Sequence, residues 1–369
     1  MSHRLRVLVL TVVHRPDDAR ILHRQITFLQ DQGFAVTYAA PWTATGVTPP
    51  QGLATHDLPR STGRDRLAAV FAARELLRRE GKNFDIVVLH DPELLLAVRF
   101  AGSVTLPAVV WDVHEDTAVA LGDRDWVPRF LRGLLAGFVR RLERWAERHV
   151  HLVLAEEGYR SRFRRAHPVV RNYPWASQRP APDALVAPTS PPRIVYVGRI
   201  SQGRGVTTMV ALGHALADEA RVELAGPIDD DVRELVAAEA AAGSIIWHGF
   251  VPNNELGEFL AGASVGLSLL GNDPNYRVSM PSKVVEYLAH GIPVVATPLP
   301  TVVTLLEEEG GGILVPFDDL DATVEAVRQL VSDADMRAAH VAQGIAAASR
   351  RTWEVEGARL VTMLRTWSE

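Results

Sequence analysis

Met280–Thr297 reads MPSKVVEYLAHGIPVVAT, a helix signal followed at once by a strand signal. Pro281 suits a first helical position, where its preset φ helps and its missing N–H costs nothing. Gly291 closes the helix, and the apolar run Ile292–Ala296 reads as a buried strand. The amides of Ser282, Lys283 and Val284 are expected to face outward at the helix start, where the macrodipole favours an anion such as a phosphate. Lys283 adds a full charge there. Glu286 lies one turn further on the same face, placed to accept hydrogen bonds from two neighbouring hydroxyls.

The same strand–helix alternation extends in both directions. Toward the N-terminus, Leu5–Val13, Ala35–Ala40, Ile86–Leu89, Ala108–Trp111 and His151–Leu154 read as strands, with helical patterns near 18–32, 64–80, 92–101 and 126–149. After a proline-rich stretch a second series begins: IVYVG, VELAG, SIIWHG, VGLSLL, IPVVAT and GILVP, separated by helices near 205–217, 230–241, 253–261, 282–290, 319–332 and 334–348. Such alternation predicts parallel sheets covered on both faces. The expected organisation is an α/β domain over 1–175, a linker over 176–192, a second α/β domain over 193–350, and a helix over 351–369 crossing back to the first. Two doubly wound domains of this kind would face each other across a cleft at the carboxyl ends of their strands.

Composition narrows the chemistry. The 369 residues include no cysteine, which removes disulfides, thiolate metal sites and cysteine nucleophiles. A net charge of −5 gives no reason to expect nucleic acid. Of the 39 cationic residues only Lys82 and Lys283 are lysine, the usage of a GC-rich, bacterial genome, so the lysine at 283 stands out. No apolar run approaches the roughly 18 residues a membrane span needs. LRVLVLTVV runs directly into HRPDDAR without a cleavage site, so it reads as a first strand and the expected location is cytoplasmic.

Charge is nonetheless uneven. From Arg124 to Arg171 there are 12 arginines and 5 acids, a balance of +7 that leaves −12 for the rest of the chain. Trp126–His149 carries apolar residues at helical spacing. The 124–171 region is thus a candidate for peripheral contact with an anionic inner-membrane surface or acceptor, against the simpler reading of a core-facing stripe with a solvated arginine face.

The second series has further marks. Strand IVYVG ends at Gly198-Arg199, and the next turn carries Gly203-Arg204-Gly205. The order VGRISQGRG, ELAG, WHGFVPNNELGEFLAGASVGL, PSKVVEYLAHGIPVVAT resembles the nucleotide-sugar-binding domain of family 4 glycosyltransferases, retaining enzymes of GT-B fold. The resemblance implies that Arg199 and Arg204 bracket the donor diphosphate, with Ser282 and Lys283 on the distal phosphate. It places Glu286 on the ribose and His248, Gly249 and Val251 around the base. Two departures accompany it: Arg204 replaces the usual lysine, and Val278 stands where relatives often carry a glutamate. Ser279, Lys283 and backbone groups are the candidate substitutes for that carboxylate.

In the first series, HRPDDARILHRQITFLQDQGFAVTYAA, DIVVLHDPELLL, VVWDVHEDTAVAL and VVRNYP resemble one branch of the same family. The resemblance makes His114, with Glu115, the catalytic pair facing the donor sugar. Asp112 and Asp116 crowd the same strand end, where a carboxylate would fix the histidine's tautomer. His14, Asp17 and His90 are the further cleft candidates, although Asp17 equally suits a helix N-cap. Asp229–Asp231 is read as acids favoured at a helix start, and no metal or other cofactor is expected. The activity implied is transfer of a sugar from a UDP or GDP donor to a hydroxyl of a glycan, lipid-linked or small natural-product acceptor. A non-catalytic nucleotide-sugar-binding protein and a GT-B sugar-nucleotide epimerase are the alternatives.

Overall fold

The computed structural model describes residues 4–101, 106–114, 129–181, 184–252 and 255–369. These fall into two compact units, Met1–Asn172 together with Trp353–Glu369, and Tyr173–Thr352. Among the described residues each unit holds one six-stranded sheet, parallel throughout.

The first sheet comprises β1 (Arg6–Leu10), β2 (Ala35–Ala40), β3 (Ala54–Asp57), β4 (Ile86–Leu89), β5 (Ala108–Val113) and β6 (His151–Leu154), in the order β3-β2-β1-β4-β5-β6. The second comprises β7 (Arg193–Val197), β8 (Arg221–Ala225), β9 (Ile246–Trp247), β10 (Val265–Ser268), β11 (Val294–Ala296) and β12 (Gly312–Leu314), in the order β12-β11-β10-β7-β8-β9. Both are doubly wound Rossmann-like orders. Their switch points lie between β1 and β4 and between β7 and β10, so each unit has its own crevice at the carboxyl ends of those strands.

Burial on both faces explains the continuous apolar strands. Val7–Leu10 and Ile86–Leu89 are almost wholly inaccessible, as are Ile194–Tyr196. Strand β3 has no such run: ATHD forms the edge, paired only with β2, and is half exposed. Strand β1 stops at Leu10, earlier than the apolar run through Val13 suggests, because Thr11–Val13 turn into a loop gripped by Asp91. The proline-rich stretch packs on the second unit, where Thr189 N donates to Gly262 O at 3.1 Å. The last helix, Trp353–Trp367, packs on the first unit: Trp353 Nε1 donates to Arg24 O at 3.1 Å and Gly357 lies against Phe28.

Helix Val206–Ala215 lies so close to the turn before β9 that a Cβ on Gly213 would stand 2.2 Å from Ser244 O. Alanine in a helix ordinarily stabilises by about 0.5–1 kcal/mol over glycine. Here the clash with fixed backbone reverses the sign, and Gly213→Ala should lower the unfolding free energy by roughly 1–3 kcal/mol, measured by urea denaturation.

Candidate active site

Strand β5 ends by delivering Asp112 and then His114 to the crevice of the first unit. As alternate residues they share a strand face, and His114 Nε2 stands 3.1 Å from Asp112 Oδ2. Asp112 is buried, and a buried carboxylate needs partners. Arg20 supplies a bidentate clamp, Nε to Oδ2 at 3.0 Å and a terminal nitrogen to Oδ1 at 2.9 Å. Gln25 Nε2 adds a short hydrogen bond. Both partners come from the π-helical turn Ile21–Ile26, where Gln25 N bonds Arg20 O five residues back and so brings the two side chains to one face. Burial pushes the Asp112 carboxyl up, but the charges of Arg20 and His114 and their hydrogen bonds outweigh it and hold it well below the usual carboxylate range.

That anion fixes two tautomers. His114 Nε2 must carry its proton toward Asp112, which leaves His114 Nδ1 as the ring's other atom for a ligand. His90 Nδ1 lies 2.9 Å from the same His114 Nε2 and therefore accepts, so the His90 proton sits on Nε2, a buried atom with no hydrogen-bond partner. Burial first, then the neighbouring His114, pushes the His90 pKa well down, so this ring is neutral. Tyr159 Oη holds the strand end through His114 O at 2.8 Å. His14 joins from the β1 loop, with its ring centroid 5.3 Å from that of His114 and Nε2 3.3 Å from Asp91 Oδ1. Asp91 in turn accepts from Thr11 Oγ1 and from the amides of Val12 and Val13.

The structure thus brings His14, His90, Asp112 and His114 together. Asp17 is elsewhere, paired with Arg15, and the cap of the following turn is Asp18, whose Oδ1 accepts from the amides of Arg20 and Ile21. Glu115 and Asp116 lie outside the described residues. Arg20, Gln25, Asp91 and Tyr159 complete the arrangement. None of these four is among the cleft candidates read from the sequence.

His90, Asp112 and His114 also present ligand atoms within 4.8 Å of one another, the spacing of a metal triad. The donor set argues against a cation, because Asp112 Oδ2 already meets Arg20, Gln25 and His114, and a guanidinium occupies the side a metal would need.

In the second unit, Gly198 ends β7 at φ 121° and lies against Lys283, whose Nζ would be 3.4 Å from a Cβ placed there. Lys283 is buried, has no hydrogen-bond partner, and sits 3.5 Å from the centroid of the Tyr196 ring. Burial, reinforced by the charge of Arg204, pushes its pKa well below the ordinary 10.5, against a smaller pull from Glu286. Arg204 follows on the turn Gln202–Arg204, its guanidinium 5.8 Å from the Tyr276 ring centroid. The next residue, Gly205, has φ 81° with no room for a Cβ beside Leu269 O.

Several expectations need correction. Helix Ser282–Ala289 starts one residue later than expected: Pro281 is its N-cap, and the Val284 amide bonds back to Pro281 O at 2.9 Å, which leaves Ser282 and Lys283 as the outward amides. Asp229–Asp231 do stand at a helix start, on the turn leading into helix Arg233–Ala242, and what the sequence did not show is that the Asp229 side chain pairs with the exposed Arg199. Asp230 pairs with Arg233. The His248 ring is turned to Glu223 at 2.9 Å, so at this segment it is the backbone around Gly249, φ 72°, that remains for a ligand. Ser279 hydroxyl bonds Tyr276 O, and Thr301 bonds Ser279 O. Glu286 is half-buried one turn from Lys283, and Val251 is half-buried beyond Gly249. Tyr196 and Tyr276 were not singled out by any motif.

Residues 191–333 match the family profile "Glycosyl transferases group 1". The chain carries a glycosyl transferases group 1 domain. Its fold is similar to that of sucrose-phosphate synthase from Thermosynechococcus elongatus, with TM-score 0.74, 15% identity and 99% of both chains covered. HepE of Anabaena, solved in complex with UDP-glucose, has TM-score 0.71 at 13% identity over 98% of this chain and 100% of that one. The D-inositol 3-phosphate glycosyltransferase of Xylanimonas cellulosilytica is 28% identical over 186 residues, 48% of this chain and 43% of that relative. The matches to curated relatives span only 40–45% of their lengths. In this chain, as in the GT-B fold of those structures, two Rossmann-like domains each carry their own sheet.

Arg20→Met would strand the Asp112 carboxylate in the first unit's core. The expected loss is about 3–5 kcal/mol of unfolding free energy, read by denaturant titration at neutral pH. Because the folded-state pKa of Asp112 is depressed, its stabilisation is present above the ordinary carboxylate range and is lost only as pH falls through that depressed value.

Proposed function

We propose that this protein is a retaining glycosyltransferase that moves a sugar from a nucleoside-diphosphate donor, UDP or GDP, to an acceptor hydroxyl. The acceptor classes that fit are a glycan, a lipid-linked saccharide or a small natural product. The observation that carries the reading is Lys283, a buried amine with no hydrogen-bond partner, beside a helix start and a left-handed glycine at a strand switch point. Such a group is costly unless an anion arrives to complete it. HepE, of the same fold, was solved with UDP-glucose, which supports the donor class.

On this reading the diphosphate occupies the crevice of the second unit, bound by Lys283 Nζ, Arg204 and the Ser282 and Lys283 amides. Arg199 joins by exchanging Asp229 for a phosphate. Glu286 takes the ribose hydroxyls. The main catalytic demand is to stabilise the departing nucleoside diphosphate as its bond to the anomeric carbon breaks, and preorganised cations in a water-poor crevice do this. His114, its tautomer fixed by Asp112, offers Nδ1 to the sugar. No metal takes part, so assays in excess EDTA should run at the unreduced rate.

Release of free sugar from donor, with and without acceptor, tests the reading. Glu286→Ala should weaken UDP or GDP binding by roughly ten- to a hundredfold in calorimetry. His114→Ala should leave nucleotide affinity within about twofold and lower turnover by about a hundredfold or more. A chain that binds nucleotide yet releases no sugar from any donor would instead be a binding protein.

Lys283 adds a protonic signature. Its depressed pKa means that part of the population is uncharged in the window between that value and 10.5, and a bound diphosphate restores the charge. At a pH where the free diphosphate is fully ionised, binding should therefore take up protons. Calorimetry in buffers of differing ionisation enthalpy should read that uptake, and Lys283→Met should abolish it. An uptake of zero in the parent protein would sink the assignment of Lys283 to the phosphate.

A further inference from the structure

Helix Arg129–His149 divides along its length. Its second half packs inward through Leu142 and Ala146. The helix's two acids are turned inward as well. Glu143 pairs with Arg162, and Glu147 accepts from the Arg164 and Arg165 amides and pairs with His167. What remains outside is cationic: Arg140, Arg141, Arg144 and Arg148 are all exposed. Two residues of the apolar stripe further toward the helix start stay outside the core. Leu134 is 71% exposed and Phe138 52%, and Phe100 at the end of the neighbouring helix Leu94–Arg99 is 57% exposed.

Between the two helices lies an open cavity of about 620 Å³ with an apolar floor of Leu96, Phe100, Phe138, Leu142 and Trp145. Arg99, Arg141, Arg144 and Arg148 ring it, with the Arg99 guanidinium 5.3 Å from the Trp145 ring centroid. The expectation of a wholly core-facing stripe therefore holds at Leu142 and fails at Leu134 and Phe138.

We infer that this face docks on an anionic lipid bilayer. Phe100, Leu134 and Phe138 enter the acyl boundary, and the four cavity arginines lie at the level of the lipid phosphates. Charge decides the occupant. The chain as a whole is −5, yet the exposed side of this helix carries arginine and no acid. A dense single-sign patch around a few large apolar side chains matches a headgroup layer over hydrocarbon. A second copy of the same face would instead oppose arginine to arginine. Arginine stems reach along apolar surface while their heads stay at the phosphates, so the ring and the floor can be engaged together.

The test is cosedimentation of the full chain with unilamellar vesicles of phosphatidylcholine alone and of an equal mixture with phosphatidylglycerol. The protein should pellet with the mixed vesicles and not with phosphatidylcholine, and raising salt should release it. Leu134→Glu/Phe138→Glu and, separately, Arg141→Glu/Arg144→Glu should each weaken binding by about tenfold or more. Unchanged thermal midpoints would show that these exposed substitutions leave the fold intact, and Phe138→Ser serves if the double variant does not fold. Failure of the parent protein to pellet with the mixed vesicles, or equal pelleting by both charge-reversed variants, overturns the inference. So does a dimer in light scattering that Phe138→Glu dissolves, since the face would then be a self-interface. The readout uses no nucleotide, so its failure leaves the donor reading untouched.

Discussion

A carboxylate under an apolar sheet must find cations or donors, and in the first unit Asp112 sets the terms for everything near it. Its two oxygens fix the position of the Arg20 guanidinium and so require the chain after β1 to wind as a π-turn that brings Arg20 and Gln25 inward together. Its charge dictates where the protons of His114 and His90 reside. The order spreads further, because Arg20 lies 6.0 Å from the centroid of the Trp353 ring, whose indole bonds the same turn at Arg24 O. One desolvated charge thus ties together the ends of β1, β4 and β5 and the last helix of the chain.

The second unit treats charge in the opposite way. Arg193, Glu223 and His248 satisfy one another at the side of its sheet, but Lys283 is left buried with only an aromatic face beneath it. Tyr196 supports it there, its own hydroxyl pushed up to about 12 by burial and donating to Arg199 O at 2.7 Å. The first crevice closes its charges internally and is ready in advance. The second keeps one open, the Lys283 amine, which has no hydrogen-bond partner.

Much of this was legible because parallel strands buried on both faces leave continuous apolar runs, which mark β1, β2, β4, β5 and β6 and, in the second sheet, β7, β8, β10 and β11; the edge strands β9 and β12 are apolar in sequence although exposed and half-buried. Strand β3 escaped because an edge strand of four half-exposed residues needs no such run. The convergence of Asp112 with His114 could be read from their alternation on one strand. The clamp by Arg20 and Gln25 could not, since those residues are 92 and 87 positions away and only the topology brings them near. Asp17 and Asp18 show the limit of local rules: adjacent acids are equally good caps on paper, and the one that caps is the one not already paired with Arg15. Likewise Arg199 reads as a free cation until Asp229 is seen beside it.

The placement of Trp353–Glu369 within the first unit has a consequence for biogenesis. The ribosome makes Met1–Asn172 first, yet the helix that covers the Arg20 turn and packs on Phe28 emerges only after the whole second unit, Tyr173–Thr352, has been translated. At about 5–20 residues per second the wait is on the order of ten seconds or more. Through that interval the nascent first unit lacks the helix that packs on Phe28 and the Arg20 turn, while the second unit, continuous in sequence, has every segment that its described fold uses. The domain begun first is therefore finished last.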